Sequence, residues 1–158
     1  MNEPYDNETL LISPGYAQRT GMPYFPPRDV MEEYLRFSRE HDGHVLMPSR
    51  GYGIRRNETA ERVILWSPKT DFMTIAEIAA TGSPYTPRSW DAKDRYQAPR
   101  PWNMMVARWW LALDDMRELP PDGFTPSLYE VVGQKGRVEP LESVLAGTHM
   151  GVLRIRPA

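Results

Sequence analysis

The chain has 158 residues, 19 Lys+Arg against 21 Asp+Glu, and a formal net charge of -2. At that length one domain is expected, and 41% hydrophobic residues are enough for a real core. The near-neutral balance excludes a general electrostatic nucleic-acid binder, and the absence of cysteine excludes disulfides, thiolate nucleophiles, Fe–S clusters and thiolate zinc sites.

Proline sets the organisation. There are 16 prolines, roughly twice the usual share, and each one breaks helix interiors and central strands. Residues 1–27 hold five of them and read as a proline-rich extended N-terminal arm, with 28–158 as a single domain. The arm begins with acidic residues and a very short apolar run, unlike a secretory signal. No window offers 18 consecutive apolar residues, so no membrane-spanning segment and a cytoplasmic setting are expected.

Residues 29–41 predict a helix. Asp29 and Glu32 form a capping-box pattern, and Val30, Met31, Tyr34 and Leu35 make its apolar stripe. Glu32 and Arg36 are expected to pair on the wet side, and Asp42-Gly43 ends the helix. Three strands are predicted next, at His44–Met47, Tyr52–Arg55 and Arg62–Ser67. Thr74-x-x-Glu77 then reads as a second capping box, opening a short helix that stops at Gly82. Thr86-Pro87 can start one helical piece within the proline-punctuated 83–101 stretch. Residues 102–118 read as the strongest helix, with Trp102, Val106, Trp109, Leu113 and Met116 on one face. Met104, Met105, Trp110 and Leu111 widen that face well beyond a single stripe. Short strands are expected at Leu128–Val132, Leu141–Leu145 and Val152–Ile155. The fold class expected is therefore α+β, with two or three helices packed on a small, mostly antiparallel sheet.

The chemistry-bearing patterns are few. His41-Asp42-Gly43-His44 is the one histidine cluster, and His149 is the remaining histidine. The pair straddles a helix end and a turn, so neither a metal nor another cofactor is expected, and His41 is better placed to meet the helix dipole. The phosphate-loop, dinucleotide and nucleophile-elbow glycine patterns are missing. Asp114 and Asp115 are adjacent, and on a helix they would point about 100° apart, which denies them a shared substrate. Residues 74–82 invite a helix-turn-helix reading, but Ile78 and Arg88 occupy positions that want a small and an aliphatic residue.

The stretch Ser49–Arg56 combines glycine, tyrosine and arginine, the side chains of a recognition hairpin. Residues 86–108 carry five basic and two acidic side chains, whereas 109–142 carry three basic and seven acidic, so the charge is bipolar. Five tryptophans and nine methionines enrich the composition associated with interface hot spots. The expectation is a protein-binding regulator, inhibitor or accessory subunit, without catalysis, whose partner is another protein or a second copy. Its contact residues are expected to be Arg50, Tyr52, Arg55, Arg56, Trp90, Arg95 and Trp110. The alternatives are a DNA-binding regulator using 86–108, and a small enzyme or ligand-binding domain with an aromatic pocket.

Overall fold

A computed structural model describes residues 8–14, 26–49, 54–55, 58–67, 70–83, 96–102, 106–146 and 152–158. The strands are β1 (Thr9–Ile12), β2 (Val45–Ser49), β3 (Arg62–Trp66), β4 (Met73–Gly82), β5 (Trp109–Leu119), β6 (Tyr129–Val132), β7 (Val138–Pro140) and β8 (Val152–Pro157). Among the described residues two α-helices accompany them, α1 (Pro27–Glu40) and the five-residue α2 (Leu141–Leu145). All eight strands join one sheet in the order β2-β5-β4-β3-β1-β8-β6-β7. β1 runs parallel to β3, and the remaining pairs are antiparallel.

The expected architecture of two or three helices on a small sheet is overturned. The sheet is large and mixed, and among the described residues a single helix of more than two turns packs on it. Both faces of the sheet are apolar, and a different element covers each. On the front face Leu10, Val63, Leu65, Val45, Leu111 and Leu113 meet Val30, Met31, Tyr34 and Leu35 of α1. On the back face Leu11, Ile64, Ile75, Tyr129 and Ile155 meet Leu141 of α2 and Phe124. The alternation follows from the strand period of two: Leu10 and Ile12 face α1, while Leu11 between them faces away.

Two predicted helices are strands. Residues 74–82 lie in β4, where Ile75 turns to the back and Ala76 to the front. The Thr74-x-x-Glu77 match is therefore not a capping box, and the helix-turn-helix reading ends with it. Residues 109–118 lie in β5, with Leu111, Leu113 and Met116 in front and Trp110, Ala112 and Leu119 behind. The unusually wide apolar face read as helical is the mark of a central strand buried on both sides. Leu141–Leu145, expected as a strand, is α2.

Of the predicted strand Tyr52–Arg55, Tyr52 and Gly53 lie outside the described residues, and Ile54 and Arg55 belong to no strand, the Arg55 amide being held by the Glu58 side chain instead of a neighbouring strand. α1 starts two residues before Asp29, at Pro27, a residue whose fixed φ suits a first turn. Its N-cap is Pro26, with no side-chain cap bond, and Asp29 instead places its charge in the first turn. The pairs on its wet side are Arg28–Glu32, with Arg36 bonded to Glu33 and Glu40, rather than Glu32–Arg36. Asp42 and Gly43 end the helix with φ of 57° and 84°. Thr9–Ile12, inside the stretch read as an arm, is the buried strand β1 between β3 and β8. Residues 1–7 and 15–25 of that stretch lie outside the described residues, as does the predicted helical piece at 86–94. No described helix is long and apolar enough to cross a membrane.

Candidate functional site

Two polar constellations stand out from the apolar sheet. The first sits at the base of the β2–β3 connection. β8 pairs with β1 so that Arg154 lies opposite Leu10, which turns its side chain to the front face. There it is 4% exposed and meets Glu58, whose side chain is fully buried. The pair is two-pronged: Nη2 donates to Oε1 at 2.6 Å and Nη1 to Oε2 at 2.7 Å. Glu58 also accepts the backbone N–H groups of Arg55, Thr59 and Ala60 at 3.2, 2.9 and 3.0 Å. Glu8 adds a second carboxylate to Arg154 at 3.2 Å.

The electrostatics follow from that count of donors. Burial by itself would raise the Glu58 pKa, but the Arg154 bonds and the Ala60 and Arg55 amides outweigh it and hold the carboxyl below its ordinary range. For Arg154, burial opposes the charge, and its bonds to Glu58 and Glu8 more than restore it. Arg55, Thr59 and Ala60, on the approach to β3, are thus tied to one buried side chain. The Arg55 side chain stays 53% exposed, 4.0 Å from Glu8.

The second constellation lies on the back face near the β2 end of the sheet. Arg62, Glu77 and Asp114 form one cross-strand row through β3, β4 and β5. His44, one residue before the Val45–Leu113 pair, continues it. Arg62 and Arg117 flank the Glu77 carboxylate at 3.3 and 3.5 Å. Asp114 Oδ1 accepts from His44 Nδ1 at 2.6 Å and from the Tyr96 hydroxyl at 2.8 Å. The Tyr96 ring stands edge-on to the imidazole at 5.3 Å. The carboxylate fixes the tautomer with its proton on Nδ1, so Nε2 is left without a hydrogen-bond partner among the described residues. His44 and Asp114 remain 26% and 35% exposed.

The expected contact residues divide sharply. Arg50, Tyr52, Arg56, Trp90 and Arg95 lie outside the described residues. Arg55 is at the surface as expected. Trp110 is not a free face of a helix: it packs with Leu46, Ala98, Ala107 and Ala112, and its indole lies over Gly82. Asp114 and Asp115 sit on a strand, not a helix. Asp115 is the bulged residue of β5, with φ of 53° and a bond to Arg117. His41 does meet the helix end, its Nδ1 donating to the Phe37 carbonyl at 2.7 Å. His149 lies outside the described residues, and among the described residues no three metal-ligating side chains come together.

The sequence reading missed Glu58, Arg154 and the joining of His44, Asp114 and Tyr96. Arg154 carried a signal, being a cation set between Leu153 and Ile155 in a buried strand. The Asp114 cluster carried none, because its members are 18 and 70 residues from the carboxylate. No known protein family matches the chain, and no curated protein or solved structure matches it.

Proposed function

We propose that the protein works by binding another protein, as a regulator, inhibitor or accessory subunit, and that the β2–β3 loop around Arg55 is its recognition element. The observation that supports this reading is the anchoring of Arg55, Thr59 and Ala60 by Glu58. Five donors converge on one buried carboxylate at the loop's base. Fixing a contact residue on binding costs free energy, and the backbone of Arg55, held beforehand by Glu58, avoids part of that cost. The guanidinium of Arg55 is left outward, where it can grip a planar anionic group two-pronged.

The test begins with capture of a partner from native lysate and its identification by mass spectrometry. The double substitution Arg55→Ala, Arg56→Ala is then compared with wild type by surface plasmon resonance. Affinity should fall by about 2 kcal/mol, a hot-spot loss, through faster dissociation. The melting temperature should hold, since Arg55 is exposed and substitutions at exposed positions stay within about 0.5 kcal/mol. Unchanged affinity together with a lowered melting temperature would assign these arginines to the fold.

A further inference from the structure

The sheet ends in β2 on one side and in β7 on the other. At β2 the edge is covered: its five residues are buried, and the Leu46 amide bonds the Gln97 carbonyl at 2.9 Å. At β7 the edge is open, and residues 135–140 are all exposed. The Gly133 amide donates to the Arg137 carbonyl at 2.6 Å, and the same register pairs Val131 with Glu139. Backbone direction alternates along a strand, so Arg137 and Glu139 turn their backbone groups to β6 and Val138 turns its N–H and C=O outward. Neither Val138 group meets a partner among the described residues. Such an edge is a template for a further strand.

The side chains select which strand fits. Val138 is 40% exposed, one of two large hydrophobic side chains so exposed among the described residues. Arg137 and Glu139 flank it on the opposite face, and neither has an ion-pair partner among the described residues. If two copies of β7 pair antiparallel about a two-fold axis at Val138, the two Val138 residues exchange both backbone bonds and bring their side chains together. Each Arg137 then stands opposite the partner's Glu139, in the closer, non-hydrogen-bonded kind of cross-strand position. Sliding the register by two residues sets Arg137 against Arg137 one way and Glu139 against Glu139 the other. Pro140 falls opposite Gly136, where an added Cβ would meet nothing within 4 Å. Charges on a short edge strand ordinarily repel other strands, and here they repel the neighbouring registers and favour this one.

We propose that the protein self-associates through this edge, β7 against the β7 of a second copy, joining two sheets into one across the axis at Val138. Lys135 and Gly136, with φ of 60° and 74°, turn the chain off the strand line, so the ladder is short. A contact of that length falls below the roughly 1,000 Å² expected of a stable interface, and the dimer is a transient one. The inference does not rest on the Arg55 reading above.

Sedimentation equilibrium of the whole chain, from about 10 μM to about 1 mM, tests it. The wild-type mass should rise from monomer toward dimer across that range. Arg137→Glu alone, or Glu139→Arg alone, sets like charges opposite each other at both contacts and should weaken association by about tenfold. An equal mixture of the two variants should recover association, because one chain then presents two acidic side chains and the other two basic ones. The double variant Arg137→Glu, Glu139→Arg keeps the net charge and should recover it as well. In wild type the Val138 amide should exchange more slowly as concentration rises, while the inward Glu139 amide stays unchanged. A chain that remains monomeric at the highest concentration would overturn the proposal. So would a dimer that either single reversal leaves intact, or one that neither the mixture nor the double variant restores.

Discussion

Glu58 shows how one residue can hold a fold together and still be invisible to pattern reading. In sequence it is one of several charges in a polar loop, yet its carboxylate is fully buried against Arg154. Removing one partner of such a pair leaves the other charge buried and uncompensated, which costs about 3–5 kcal/mol. Glu58→Gln should therefore lower stability by about 3 kcal/mol in urea denaturation, while Glu8→Gln, at a more exposed carboxylate, should cost less than about 1 kcal/mol. Equal losses would mean that Glu8 shares the anchor equally. Gly82 makes the second case at this scale. A Cβ there would fall 2.2 Å from Trp110 Cζ2. Gly82→Ala should cost about 1–3 kcal/mol, and less in a Trp110→Leu background, where the indole is gone. Thermal melts of the single and double variants measure the difference.

At the scale of elements, β5 carries the main lesson. Its residues from Trp109 to Leu119 include enough apolar positions to satisfy a helical stripe and a doubly buried strand alike. What decides between them is the company β5 keeps: β2 on one side and β4 on the other supply hydrogen bonds along its length. Local propensity for Ala, Leu and Met favours a helix, and tertiary pairing overrides it. The strand pays no helical penalty for Asp114-Asp115, because a bulge at Asp115 re-aims the chain there. Asp115 adopts φ of 53°, a region that Gly and Asp tolerate and β-branched residues do not. Asp115→Val should lower stability by roughly 1–2 kcal/mol, whereas Asp115→Gly should leave it near or above wild type. A shared loss in both variants, measured by thermal denaturation, would assign the position's value to its Arg117 contact instead.

For the whole molecule, the depressed Glu58 pKa sets a pH dependence. The unfolded chain binds the Glu58 proton at about pH 4.3, and the folded chain only at lower pH. The stability from this group is therefore fully present above about pH 4.3 and is lost as the pH falls through the folded value. Glu58→Gln has nothing to titrate at that position. Its deficit relative to wild type should be largest near about pH 7 and should narrow toward about pH 3, as read from urea midpoints at each pH. A deficit that stays constant across that range would mean the pair's contribution is not ionic.

The sequence by itself determined which segments are apolar, where α1 lies and ends, and that β3, β6 and β8 are strands near their observed bounds. Those features rest on local rules: a 3.6-residue stripe, a left-handed Asp42-Gly43 stop, and short β-branched runs between turn residues. It also showed the Arg55 loop to be polar and glycine-flanked. Only the tertiary structure decided that 74–82 and 109–119 are strands, because Met73–Ala76 and Leu111–Leu113 are buried on two faces and local apolar spacing there suits a helix as well as a strand. Only the tertiary structure brought Arg154 to Glu58 across 96 residues, and His44 to Asp114 across 70. Sheet order determines such meetings, and it is set by which apolar faces cover one another in the folded whole.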